Sequence, residues 1–521
     1  MLRLMDWFCG AGGSSQGAHA VPGVDVSLAA NHWQRAIESH AANFPAADHY
    51  RGDIREAPVH RWPVADIFWA SPECPKWSNA RGKKRDFATS LQGELFGPDR
   101  DEETERSRAL MEEVPAYLRG VQERGGLVRA GVVENVVDVR GWDQWDRWVG
   151  EIRKLGYRTR LIAMNSMHAD PRTVLRAPQS RDRLYLAYWH TSLGRDPDWD
   201  KWLRPQAWCE TCAQVVQAVQ VFKKQGADMG RYRQQYVYRC PRVSCRNAVV
   251  EPQVLPAMAA IDWTLPGTRI GDRTGGLSEK TLARIRAGLN KFARPMLVPA
   301  GGTWRDDAVP VDEPMPCRTT RENDALAIPP LLIPVEGRDG KEPGSAEYPL
   351  RTQTARNETG LAWLPFIAEL RGGGSVARSV ADALATVTAS GNHHGLVTPV
   401  TGAAPVQWES LLVPYYGNGT ARPVREPIGT LTTVDRYALV RGLADISLDE
   451  VLFRMLEPHE IGRGMAFGGR YTVLGNKREK VRQYGNAVTP PVSEVIISAL
   501  VEAITGEAIE RHALQPAGAA A

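Results

Sequence analysis

Leu2-Arg3-Leu4-Met5-Asp6-Trp7-Phe8-Cys9-Gly10-Ala11-Gly12-Gly13-Ser14-Ser15-Gln16-Gly17 is the stretch on which the reading of this chain turns. Residues 2–8 have strand character, and 14–20 read as the helix that follows. The glycines between them let the backbone turn sharply and approach a ligand closely, with a helix N-terminus behind. The spacing G-x-G-G-x-x-x-G is not that of the usual dinucleotide fingerprint. Taken alone, the loop reads equally as a cofactor loop or as an ordinary βα turn.

Working outward, residues 24–30, 65–70, 131–136 and 183–189 read as further strands, with helical stretches between them. Over residues 1–200 this alternation predicts a doubly wound α/β domain with a mostly parallel sheet, and ligands at the carboxyl ends of its strands. Residues 201–250 break the rhythm with a cysteine cluster. Residues 251–445 are β-rich and contain four repeated units. Met315, Leu350, Leu384 and Ile428 mark their second halves, spaced by 35, 34 and 44 residues. A period of that size signals stacked supersecondary units, and alternating Thr and Val favour hairpins. Residues 446–510 return to helix, strand and helix as a last part of the core, and 511–521 form a frayed tail.

At 521 residues the chain is long enough for about three or four domains. A hydrophobic fraction of 43% with 24% charged residues is ordinary for a globular protein. Apolar runs such as 495–501 are too short to span a bilayer, and no leader pattern precedes the first strand. The expectation is a cytoplasmic protein with no membrane partner. Sixty-four basic against 60 acidic residues leave a net charge of only +4, so any polyanion site must be local. Seven cysteines exclude a fully paired disulfide framework. Cys209-x2-Cys212 and Cys240-x4-Cys245, 27 residues apart, have zinc-ribbon spacing. The alternatives are unpaired thiols or a labile disulfide. Four thiolates close a metal's coordination shell, so the expected zinc is structural.

Four further motifs follow. Cys74, in Ser71-Pro72-Glu73-Cys74-Pro75-Lys76-Trp77-Ser78, lies on a loop just past a strand, a position open to a nucleophile or to a small buried hydrophobe. Glu134, in Val133-Glu134-Asn135-Val136, is a carboxylate ending an apolar strand. Arg181 and Arg183, in Gln179-Ser180-Arg181-Asp182-Arg183, stand at alternate positions and so are expected on one face of a strand. Gly485-Asn486 reads as a turn leading into the helix of the last segment.

In this order, with Gly52-Asp53-Ile54 between the first two, these motifs resemble those of the DNA (cytosine-5)-methyltransferase family. The resemblance covers about 1–200 and 447–505. It implies a Rossmann-like methyltransferase core, into which the zinc-ribbon-like module read from the cysteine spacing is inserted, and makes the β-rich, repeat-containing segment the target-recognition domain. It implies S-adenosyl-L-methionine as cofactor, in a pocket of Asp6, Phe8, Gly10, Gly12, Gly13, Asn31, Asp53, Ile54 and Asn486. Asn31 stands where the family usually has a glutamate for the ribose hydroxyls, and an amide bonds a hydroxyl without charge assistance.

The chemistry fits these residue types. Carbon 5 of cytosine is a poor nucleophile until a thiolate adds at carbon 6, which the resemblance assigns to Cys74. Glu134 then holds N3 and the amino group, Arg183 holds O2, and Arg181 lies nearby. A base inside a duplex cannot be reached this way, so the target is flipped out. The resemblance makes double-stranded DNA the partner of a monomer, prokaryotic or phage-encoded, of the kind that accompanies a cognate restriction endonuclease. Lys76, Arg81, Lys83, Lys84 and Arg85 form a basic loop for phosphates, or a solvated charge run. Lys223, Lys224, Arg231, Arg233 and Arg239 give the cysteine module a basic linker that DNA could touch. The alternatives are a binding protein whose core no longer turns over, and an RNA cytosine-5 methyltransferase.

Overall fold

The computed structural model describes residues 1–72, 102–255 and 456–511, with short pieces and strand backbones between 257 and 455. Cys74 and the basic loop after it lie outside the described residues. A seven-stranded sheet organises the rest. Its strands are β1 (Leu2–Trp7), β2 (Val24–Asn31), β3 (Asp48–Arg51), β4 (Ile67–Ala70), β5 (Ala130–Asn135), β6 (Tyr157–Asn165) and β7 (Asp182–His190). Their order is β3-β2-β1-β4-β5-β7-β6. The first five are parallel, and β7 runs antiparallel to both β5 and β6. The expected mostly parallel sheet is therefore found. Chain order reverses at β1, which β2 and β4 flank, and this switch point opens a crevice at the carboxyl ends. Because β7 is reversed, its first residues come to that same edge.

Strand side chains alternate between two layers, as their period of two requires. Met5, Trp7, Phe68, Ala70 and Val133 pack beneath α3 (Glu102–Glu123) and α4 (Trp145–Lys154). Leu4, Ile67, Trp69 and Val132 pack on the other side with α1 (Gly13–His19), α5 (Trp199–Leu203) and the last helix. A further helix, α2 (Gln34–Asn43), connects β2 to β3.

In the C-terminal segment the first element of the expected helix–strand–helix lies outside the described residues, and the strand and helix after it are found. A strand, Val451–Met455, is followed by three helices: α6 (Pro458–Gly464), α7 (Lys477–Asn486) and α8 (Pro490–Thr505). Gly485-Asn486 ends α7 rather than forming a free turn. Prolines open α8, and Gly506 at φ 78° closes it, the usual asymmetry of helix ends. A Cβ on Gly13 would sit 1.9 Å from the Val488 carbonyl, and one on Gly17 2.1 Å from that of Pro490. These two glycines thus let α1 and α8 approach, and Ser493 Oγ ties them by donating to Ser14 O at 2.7 Å. By length and composition the stretch Lys477–Thr505 could cross a membrane, but 89% of its apolar window is buried inside the protein. Its hydropathy is that of a core helix.

Residues 206–250 form a small β module. A hairpin of β8 (Gln206–Cys209) and β9 (Gln214–Gln217) is followed by an antiparallel sheet of β10 (Val219–Phe222), β11 (Tyr236–Arg239) and β12 (Val249–Val250). In the repeat region, Gln353–Arg356 pairs in parallel with Thr386–Gly391. The partners belong to the second halves of successive repeats, so this contact runs between units and is not a hairpin. The second halves of the first and fourth repeats lie outside the described residues.

Candidate active site

The site is built along the carboxyl edge of the sheet, beginning where β1 ends. Phe8 turns the chain with φ 61°, a left-handed value that is costly for a non-glycine residue. Gly10 follows at φ 52°, and a Cβ there would meet only Phe8 O, at 3.9 Å. Gly10 is thus the open side of the loop. Gly12 is backed by protein: its Cβ would lie 2.3 Å from Tyr471 Oη, which donates to Ala11 O at 2.6 Å. At Gly12 and Gly13, which the sequence reading gave to ligand approach, an added Cβ would meet Tyr471, His40 and Val488.

Asp6 lies beneath this loop, fully buried. Its Oδ2 accepts from Ser14 Oγ and Ser15 Oγ, each at 2.6 Å. Burial pushes its carboxyl up to about 6, against the lowering effect of the two serines. Ser15 Oγ also meets His40 Nε2 at 2.9 Å, and His40 Nδ1 meets His49 Nε2 at 2.9 Å. Burial, then the neighbouring His49, pushes His40 down to about 3, so it is neutral near pH 7. With Ser15 donating to Asp6, its oxygen accepts from His40 Nε2–H, and His40 Nδ1 accepts from His49. The sequence reading missed this chain, and the adjacent Ser14-Ser15 after the glycines was its one local signal.

The ends of β2 and β3 complete this half. Asn31 Oδ1 accepts from Trp33 N at 2.9 Å. The Trp33 ring lies under the Arg482 guanidinium of α7, 4.5 Å from its centroid. Asp53 caps the turn Ile54–Glu56 by accepting from Arg55 N at 3.1 Å, and it pairs with Arg55 Nη2 at 2.7 Å. Ile54 is in the core. Asn486 is exposed at the end of α7.

The other half lies at β4, β5 and β7. Ser71 N donates to Trp7 O at 3.1 Å, and Asn135 Nδ2 to Pro72 O at 3.3 Å, fixing the chain two residues before Cys74. Glu134 and Arg183 form a half-buried ion pair, Nε to Oε1 3.2 Å, with 12% and 14% of their side chains exposed. Arg181 was expected to share a face with Arg183. The strand starts only at Asp182, so alternation does not extend to Arg181. It is buried, its N–H donates to Asn165 Oδ1 at 3.0 Å, and its Nη2 donates to Gly485 O at 3.2 Å. It joins β7 to α7, next to Asn486.

The four clustered cysteines are brought together as their spacing predicts. All four sulfurs lie within 4.8 Å of one another, and those of Cys212 and Cys240 are 4.0 Å apart. None is in a disulfide. Thiolates around a tetrahedral zinc at ~2.3 Å sit ~3.8 Å apart, so the donor set and its dimensions fit that ion. The basic linker is largely engaged within the protein. Arg231 pairs with Asp138, Arg233 with Glu251, and Arg239 Nη1 donates to Asn247 O.

A doubly wound sheet with a left-handed glycine loop after β1 and an ion pair along the same edge defines a Rossmann-like α/β fold with its ligand edge formed. Residues 2–99 match the family model described as C-5 cytosine-specific DNA methylase, so the resemblance carried by the motifs is the one found. Among solved structures, the chain is similar to the Entamoeba histolytica methyltransferase EhMeth (10% identity, TM-score 0.42, 96% of this chain and 98% of that one). It is similar also to the S. pombe Dnmt2 methyltransferase (12% identity, TM-score 0.45, 97% and 100%). No curated protein matches the chain.

Proposed function

We infer that this protein methylates carbon 5 of cytosine in double-stranded DNA, through a covalent adduct of Cys74 with a flipped-out base. The observation that carries the reading is the Glu134–Arg183 pair, on the same sheet edge as the glycine loop and next to the strand that leads to Cys74. S-adenosylmethionine supplies, when bound, a methyl group on a sulfonium. Phe8, the open side of Gly10, Asn31, Asp53, Ile54 and Asn486 would hold it, with Asp6, Gly12 and Gly13 shaping the loop.

The base half does the rest. The Cys74 thiolate forms a bond to carbon 6, and the ring's electron pair moves toward carbon 5 and N3. A proton shared between the Glu134 carboxyl and N3 meets the charge arriving there, a Glu134 oxygen accepts from the amino group, Arg183 donates to O2, and Arg181 fixes the entry to β7. After transfer, carbon 5 loses its proton to water, the 5,6 double bond re-forms and the thiolate leaves. Residues 251–445 are the segment to which we assign target choice, and Cys209, Cys212, Cys240 and Cys245 hold one structural zinc.

Labelled cofactor offered with DNA or RNA tests the reaction, and a duplex carrying 5-fluorocytosine tests the nucleophile. Label is expected in DNA cytosine, with a trapped adduct on Cys74 and none with Cys74→Ser. Label in RNA alone, or an adduct on another cysteine, overturns the reading.

A further inference from the structure

The cysteine module meets the core at the base half of the edge. Arg231 pairs with Asp138, in the turn four residues after Glu134. The next residue, Tyr232, donates its backbone N–H to Asp182 Oδ1 at 3.1 Å, one residue before Arg183. One dipeptide therefore grips both segments that carry the Glu134–Arg183 pair. Nearby, Arg140 Nη2 and Nε donate to Asp228, each at 3.1 Å.

The dipeptide is itself held. Gln235 N donates to Arg231 O at 2.9 Å, and Arg231 N to Gln235 Oε1 at 2.6 Å, closing the loop. The Tyr232 ring meets His168 edge-on at 4.3 Å, and Tyr238 meets the same ring at 5.0 Å. Tyr232, Tyr236 and Tyr238 share one apolar cluster with Cys209, Cys240 and Cys245. The path from the cysteines to the ion pair is thus continuous packing: sulfur cluster, β11 tyrosines, Arg231–Tyr232, then Asp138 and Asp182.

We propose that the cysteine module is a positioning clamp, in which Arg231 and Tyr232 hold Glu134 and Arg183 at base-binding geometry. It rests on the reading of that pair as the base-binding groups. Arg231 is a positioning residue, because it acts through Asp138. Tyr232 acts through its backbone, so only Arg231 can be deleted cleanly.

The test uses the full chain and compares Arg231→Ala, Arg231→Lys and wild type, each checked for zinc by elemental analysis. Hydrogen exchange of the amides of residues 134–140 and 182–185 reads the clamp without reference to activity. Arg231→Ala is expected to lose protection there while keeping its zinc and its affinity for cofactor. Its kcat on DNA should fall roughly 10- to 100-fold, the scale of a misplaced reacting group, with Arg231→Lys partly restoring both. Unchanged protection overturns the clamp, whether or not the wild type is active. Lost protection with unchanged kcat in an active enzyme overturns the positioning role. A wild type with no transfer to cytosine refutes the functional reading alone, and the exchange result then judges the clamp separately.

Discussion

Beneath the Phe8–Gly13 loop, charge is buried and met by hydroxyls and neutral imidazoles, whereas at β5 and β7 it is met by opposite charge. Asp6, Ser14, Ser15 and His40 are fully or almost fully buried. Glu134 and Arg183 keep a small opening to solvent. The first half is made mostly by residues within 6–15 and 31–55, backed by Tyr471 and Val488 from the C-terminal segment. The second draws on β5, β7, α7 and the cysteine module. A half whose polar chain is mostly local depends on few segments, while one assembled from several distant ones depends on each of them. The base half should therefore be the more sensitive to substitutions at a distance.

The largest expected effect falls on that half. Glu134→Gln keeps the side chain's shape but removes the charge that Arg183 pairs with. By analogy with a lost transition-state hydrogen-bonding group, it should cost roughly 10²–10³ in kcat, about 2.7–4 kcal/mol. The cofactor dissociation constant should stay the same. Steady-state methylation alongside calorimetry measures both. A loss confined to cofactor affinity would move Glu134 to the other half.

The same contrast explains what was legible in the sequence. The strand–glycine loop–helix and the mostly parallel sheet could be read because alternation and turn residues lie within short windows. The cysteine cluster was legible through spacing alone. The packing role of the glycines was not: only the fold brings the Val488 carbonyl, more than 470 residues on, against Gly13. For Arg181 the alternation gave no sign of the contact it makes, a bond from its Nη2 to Gly485 O. Arg231 looked like part of a basic DNA surface, and only the fold brings it to Asp138. Contacts between distant segments leave no local period, so pattern reading fails wherever the site is assembled from them.

A smaller effect is expected at the cofactor half. Asp53→Ala should weaken S-adenosylmethionine binding by roughly 1–3 kcal/mol, the cost of one lost buried polar partner. Asp53 also caps its own turn through Arg55 N, so Asp53→Asn serves as the companion variant that retains an acceptor. If both bind cofactor like the wild type, the half needs another adenine partner. If only Ala weakens binding, an acceptor at this position rather than its charge is what matters.

The smallest effect concerns the buried chain under the loop, and it appears as a slope rather than a loss. Asp6 is raised from 3.8 to about 6 on folding. Between those values the native state holds more protons, so its contribution to stability falls as pH rises. His40 is lowered from 6.5 to about 3. Over that range the native state holds fewer protons, so its contribution rises with pH. From about pH 4 to 6 the two oppose each other, each by at most ~1.4 kcal/mol per pH unit. Asp6→Asn removes the falling contribution while its amide oxygen still accepts from Ser14 and Ser15. Acid should then destabilise the variant more steeply than the wild type across that window, read as Tm against pH by calorimetry. His40→Gln should flatten or reverse the slope. Parallel Tm profiles for Asp6→Asn and wild type would mean that Asp6 folds with an ordinary carboxyl, and the contrast between a neutral-bonded cofactor half and an ion-paired base half would lose its clearest member.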